Sequence, residues 1–162
     1  MDLRRLRTGE WIAGVSGLVL FVSLFLPWYR VEAASLDVTA FEAFSVFDVL
    51  LVLLAVCGVA IVVIVAAQEA PAMGIAVEAL LTVLAGAVTI LLVFRVLNVP
   101  GDLEDGGEAA AFAWIGLGAA FGVFAGSLVA MRDERLSKPG KPTDASGAPV
   151  DAPPEIEIIS SP

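Results

Sequence analysis

Residues 49–68 read VLLVLLAVCGVAIVVIVAAQ, twenty consecutive positions without a charge. A helix that is apolar all the way round has no water-facing side, and at 1.5 Å rise per residue it covers about 30 Å, the thickness of a bilayer's hydrocarbon core. Working outward from this stretch, three more runs stand clear of charge: Trp11 to Tyr29 with 19 residues, Ala79 to Phe94 with 16 and Ala109 to Met131 with 23. The third is short, but Glu78 and Arg95 bracket it, and long side chains at helix ends snorkel to the interface, so the helix is expected from about 74 to 97. The expectation is an all-α membrane protein, a bundle of four transmembrane helices over about 11–27, 46–67, 74–97 and 109–131. A basic N-terminus (1–10) precedes it and a tail (132–162) follows. The composition agrees, with 59% apolar residues, 17% charged and a mean hydropathy of +0.92. The runs occupy about half of 162 residues and leave no room for a catalytic domain.

Arginine and lysine set the orientation. Arg4, Arg5 and Arg7 precede the first run, and Arg132, Arg135, Lys138 and Lys141 follow the fourth, so both termini are expected in the cytoplasm. The loop from Trp28 to Phe44 holds one base, Arg30, and the loop from Asn98 to Glu108 holds none, so both face outward. Counting Asp48 and Arg95 as outer, that face carries eight acids (Glu32, Asp37, Glu42, Asp48, Asp102, Glu104, Asp105, Glu108) against two bases. A chain of net charge −9 with no clustered bases beyond the juxtamembrane ones does not suit nucleic acid; those bases suit anionic lipid heads. The arginines, the first apolar run and Val31-Glu32-Ala33 also have the outline of a cleaved signal peptide. Against that stand the length of the run and the bulky approach Pro27-Trp28-Tyr29-Arg30, and cleavage would leave the other three helices oriented as before.

The first outer loop is richer than a connector. Residues 29–32 and 36–39 alternate apolar with polar, which predicts a small hairpin on the membrane surface. Phe41, Phe44 and Phe47 recur every three residues and are expected to rest in the interface. Ser45 with Asp48 three later has the spacing of a capping box. Trp28, Tyr29, Phe112 and Trp114 are expected to form an outer aromatic belt and Trp11 an inner one, which makes Trp11, Trp28, Tyr29 and Trp114 the interface anchors. After Arg132 six of the last 31 residues are proline, and the tail is expected to be disordered. Within it Glu155-Ile156-Glu157-Ile158-Ile159 alternates, either as a docking strand for a partner or as a sticky accident.

The absences bear most on chemistry. Without histidine there is no imidazole-ligated haem, no histidine general acid and no zinc site of the usual kind. With Cys57 alone a dithiol relay lacks its second sulfur, and no phosphate-cradling glycine loop appears. No cofactor is expected and no enzyme. The acidic stretch Asp102 to Glu108 lacks the spacing of a calcium loop and reads as a solvated connector. In the fourth run Trp114, Gly118, Gly122, Gly126 and Ala130 recur every four residues, and Gly118, Gly122, Gly126 and Ala130 are taken as a helix-packing groove. Its partner is either a helix of this chain, such as the patch Ala13, Gly14 and Gly17, or a second copy. Glu78 lies one turn into the third run, where it either reaches headgroups or, with Thr82 and Thr89, lines an ion path together with Ser16, Ser23 and Ser127. Hydroxyls that bond back to their own helix would give the same stripe without a path.

Phe25-Leu26-Pro27-Trp28-Tyr29 and Phe41-Glu42-Ala43-Phe44-Ser45-Val46-Phe47-Asp48-Val49-Leu50-Leu51 resemble stretches of small four-helix integral membrane proteins of high-GC bacteria, a group to which no function is assigned. The resemblance covers roughly Trp11 to Gln68 and brings no catalytic or binding residue with it. Seven arginines against two lysines, with abundant Ala, Val and Gly, fit such a coding bias. The expectation is therefore a multi-pass plasma-membrane protein, a non-enzymatic accessory or scaffold that offers its outer loop and cytoplasmic tail to a membrane-protein partner. The alternative is a small homo-oligomeric channel or transporter built on Glu78, Thr82 and Thr89.

Overall fold

A computed structural model of the protein describes residues 6, 8–31, 36–44, 46–67, 71–99 and 107–135, with no side-chain placement for 71–76 and 133–135. In chain order the elements are α1 (Thr8–Ser23), β1 (Pro27–Val31), β2 (Leu36–Thr39), α2 (Ala40–Ala43), α3 (Phe47–Ala67), α4 (Pro71–Leu97), β3 (Gly107–Ala109) and α5 (Ala111–Arg135). Three helices, α3, α4 and α5, are long and apolar enough to cross a membrane, and α1 is a shorter apolar helix. Large apolar side chains are exposed along all four, among them Val15, Leu18, Val22, Val49, Val56, Leu80, Val83, Ile90 and Phe121. Outward-facing apolar surface on this scale marks contact with a membrane or with another protein.

The helix ends depart from the sequence expectation in ways the local chemistry explains. α1 begins at Thr8 and stops at Ser23, four residues short of the expected end at 27. The chain tightens there through a bond from the Phe25 N–H to the Val22 carbonyl (3.2 Å), so that Pro27, which lacks an N–H, opens a strand instead of closing a helix. α4 starts at Pro71, a residue suited to a first helical turn, and α5 continues through 132–135, positions the sequence reading assigned to the tail. The remainder of the tail (136–162), the acidic stretch 101–106, Glu32 and the arginines at 4, 5 and 7 lie outside the described residues.

The architecture is not purely helical. The predicted hairpin forms as β1 and β2, antiparallel with Tyr29 opposite Val38 and Arg30 opposite Asp37 and an irregularity between Pro27 and Tyr29. A third strand, β3, pairs on the other side of β1, giving the order β2-β1-β3 with Arg30 opposite Glu108. This small sheet, with α2, caps one end of the bundle. Below it α1 packs chiefly between α5 and α3, and α4 packs chiefly on α5. The core runs from Trp28 and Tyr29 in the cap through Leu20, Leu24, Leu51, Leu54, Ala85, Val88, Leu92, Ala120 and Val123 between the helices.

Candidate functional site

The most constructed part of the molecule is the junction between the cap and the helices. Trp28 and Tyr29 follow the turn that ends α1, and both side chains are completely buried. Trp28 donates its indole N–H to the Ser23 carbonyl at 2.7 Å, and its own carbonyl accepts the Ala110 N–H at 2.8 Å, which links the end of α1 to the approach of α5. Its ring lies over Gly116, where a β-carbon would meet the indole at 2.7 Å or less. Tyr29 donates its hydroxyl to the Arg95 carbonyl at 2.8 Å, near the end of α4. Phe44 stands edge-on to both rings, at 5.8 and 5.9 Å between centroids, and the Arg95 guanidinium lies 5.9 Å from the centre of the Phe44 ring. Burial pushes the Tyr29 phenol up to about 12, an effect that the Arg95 charge only partly offsets. Burying large apolar side chains contributes about 2–3 kcal/mol apiece, so these rings hold the cap firmly to three helices.

This placement corrects two expectations. Trp28 and Tyr29 are not interface anchors exposed to lipid, because the sheet folds over them and their polar tips find backbone carbonyls inside the chain. Phe44 likewise faces inward and packs edge-on against Phe47 at 5.4 Å, whereas Phe41 stays 38% exposed. Trp11 and Trp114 remain exposed on α1 and α5. The capping box also falls elsewhere. Thr39, ahead of α2, donates its N–H (2.8 Å) and its hydroxyl (2.9 Å) to the Glu42 carboxylate, and these two bonds hold the Glu42 carboxyl below the usual carboxylate range. Ser45 lies outside the described residues, and Asp48 accepts the N–H of its neighbour Val49 at 2.7 Å.

The outward surface of the cap carries charge. Asp37, Arg30 and Glu108 lie abreast on three strands, with the Arg30 Nε donating to Asp37 Oδ1 at 3.1 Å between exposed side chains. A hollow of about 230 Å³ opens between the sheet and the start of α5, walled by Pro27, Arg30, Glu108, Ala110 and Phe112. Among the described residues no three metal-ligating side chains come together.

Several small residues of α5 lie directly against α1. Gly126 and Gly9 are so close across α1 and α5 that a β-carbon on Gly126 would lie 2.8 Å from the Gly9 carbonyl oxygen and 2.5 Å from the Ala13 nitrogen. Gly122 faces the Ser16 side chain, and Ala130 is buried where Gly9 crosses it. Gly118 is the exception: among the described residues nothing beyond its own helix backbone lies within 4 Å of where its β-carbon would be, and Gly116 takes the packed position instead, beneath Trp28. The physical reason is rotational. At about 100° per residue a spacing of four drifts about 40° per step, so three steps from Ala130 carry Gly118 roughly 120° off the seam. Gly14 and Gly17 pack on α3, against Val62 and the Ala55 carbonyl, so α1 uses one small-residue face for each neighbour.

On α4, Glu78, Thr82 and Thr89 all lie on the buried face. Glu78 has no exposed surface, which corrects the expectation that it reaches outward to headgroups. Its helix continues a further two turns, to Pro71, so it sits deeper in the fold than the apolar run implied. Thr82 donates its hydroxyl back to the Glu78 carbonyl at 2.8 Å, and Ser23 and Ser127 bond back to Leu20 and Phe124 in the same way. Among the described residues the Thr89 hydroxyl has no hydrogen-bond partner. Glu10, on the first turn of α1, is buried as well, and no sequence signal marked it, because an acid among N-terminal bases reads as solvated. No family model, curated protein or solved structure matches this chain.

Proposed function

We propose that the chain is a four-span plasma-membrane protein with both termini in the cytoplasm, and that it is a non-enzymatic accessory or scaffold presenting its cap and its tail to partners. The fourth span is supported by the register of α1 on α5. Gly9 meets Ala130, Ala13 meets Gly126, Ser16 meets Gly122 and Ser23 meets Gly116, so α1 runs antiparallel to α5 from end to end although only 16 residues long. Helices that share a seam along their whole length share a membrane thickness. The distribution of lysine and arginine between the loops then favours an outer cap, and separately the excess of seven arginines over two lysines fits a relationship to small four-helix proteins of high-GC bacteria.

The observation that carries the functional reading is the anchored cap. A connector between two spans needs only to be soluble, yet Trp28, Tyr29 and Phe44 fix this one to α1, α4 and α5 while its charged ladder stays exposed. Rigid presentation of a polar surface lowers the ordering cost that a partner must meet on binding. Native mass spectrometry after gentle extraction from the source membrane tests this. A stoichiometric second protein is the expected result, lost on deletion of the tail after Lys141 or on disruption of the cap. A defined homo-oligomer without any partner would turn the reading toward a channel.

That second reading has one observation in its favour. Glu78, Thr82 and the unpartnered Thr89 hydroxyl share the buried face of α4, where ionisable and polar groups in a membrane are functional by default. In proteoliposomes it requires that Glu78→Gln abolish flux without loss of expression.

A further inference from the structure

Three phenylalanines link the bundle to the cap along its outside. Phe21, on the last turn of α1, meets Phe25 in the following turn at 5.3 Å between ring centroids, and Phe25 meets Phe41 on α2 at 5.2 Å. All three are exposed, at 36%, 57% and 38%. A lone exposed phenylalanine on a loop is ordinary. These three form a continuous ridge that leaves the outward face of α1, where Leu18 and Val22 are more than half exposed, and climbs past Pro27 onto an element of the cap. Below the ridge, Leu18 and Phe21 with Val56 and Val59 of α3 border an apolar groove of about 330 Å³ that has no polar lining. The Glu42 carboxylate beside Phe41 is turned back onto Thr39, so α2 keeps its acid engaged within the cap while its aromatic ring points away.

We infer that the cap is partly immersed: the ridge Phe21–Phe25–Phe41 is a membrane-contact surface, and α2 lies in the headgroup–acyl boundary of the leaflet on the cap side. The occupant of this surface is phospholipid, because the ridge is continuous with the outward apolar face of α1 and α3, and aromatic rings are favoured at that boundary. The membrane edge then lies at Phe41 and not at Pro27, about one ring-to-ring step beyond the end of the helix. The inference rests on the membrane-spanning reading above.

Site-directed spin labelling tests the two separately. Single cysteines replace Phe25, Phe41, Val22 or Asp37 in a Cys57→Ala chain, each is labelled with a nitroxide, and the protein is reconstituted into phosphatidylcholine–phosphatidylglycerol vesicles. Collision with oxygen, which concentrates in lipid, is compared with collision with a water-soluble nickel chelate. The expected result is that labels at Phe25 and Phe41 favour oxygen, as does Val22, with depth decreasing from Val22 to Phe41, while Asp37 favours the chelate. If Phe25 and Phe41 favour the chelate while Val22 favours oxygen, the immersion is wrong and the spanning helix stands. Shielding of both labels from both reagents would mean that protein, not lipid, covers the ridge, and would also overturn the inference. A chelate-accessible Val22 would remove the spanning reading itself. The Phe25 and Phe41 cysteines each remove a ring at a different point of the ridge, so either variant alone decides if the other does not insert.

Discussion

Replacing Gly126 with alanine adds one methyl group to α5 where it lies directly against the backbone of α1. The new carbon would sit 2.5 Å from the Ala13 nitrogen, 2.8 Å from the Gly9 carbonyl oxygen and 3.0 Å from the Ala13 Cα. All three are backbone atoms, so no side chain can rotate aside. Restoring an ordinary contact of about 3.5 Å requires the helices to part by about 1 Å. That separation loosens the contacts of Ser16 with Gly122 and of Gly9 with Ala130 on either side. Overpacking a tight interface costs about 1–3 kcal/mol, and an unyielding backbone puts this site at the upper end, about 2–3 kcal/mol. The folded-to-unfolded ratio should then fall roughly 30- to 140-fold. Gly118→Ala is the matched control, because the same methyl group two turns along the same helix meets nothing within 4 Å among the described residues beyond its own helix backbone. There the alanine should be neutral, or stabilise by up to about 0.5–1 kcal/mol through backbone entropy. Both are read from unfolding in mixed micelles with increasing SDS, followed by circular dichroism. Equal stability of Gly126→Ala and the parent, or equal loss in both variants, would refute the placement of the seam. Loss of a dimer with an intact monomer would transfer the seam to an interface between copies.

Tyr29 is the single tyrosine, so tyrosinate absorbance reads it directly and should show a midpoint near 12, against 10 for a solvated phenol. Because the folded state holds the proton more tightly than the unfolded one, stability should fall as pH rises from about 10 to about 12, and Tyr29→Phe should flatten that slope; a midpoint near 10 would mean that the ring is not buried. Gly116→Ala should displace the indole of Trp28, since its β-carbon would lie 2.7 Å or less from the ring. A red shift and stronger aqueous quenching of one of three tryptophans should follow, and an unchanged emission spectrum counts against the packing of the cap on α5.

The helices were legible in the sequence because a run of about twenty uncharged residues has few ways to satisfy its backbone other than a buried or lipid-facing helix. Hydropathy places α3, α4 and α5 to within a few residues, and alternation over 29–32 and 36–39 was enough to announce β1 and β2. β3 was not legible: three residues, Gly107 to Ala109, have no periodicity of their own and become a strand only because β1 offers them an edge. The same is true of the candidate site. A Pro-Trp-Tyr sequence at a helix end has the composition of an interfacial belt, and nothing local tells a ring that lies in lipid from one over which a sheet will close.

The sequence by itself determined that this chain is built on long apolar helices and where along the chain the charges fall. Only the tertiary structure decided which small residues touch, with Gly116 and Gly126 inside and Gly118 outside, because the answer depends on helix rotation, which a spacing of four approximates and then loses. It also decided that Trp28, Tyr29 and Glu78 are interior. Burial of that kind is a property of what packs across from a residue, for Trp28 an α5 glycine as far along the chain as Gly116, and a neighbour that distant leaves no trace in the local pattern.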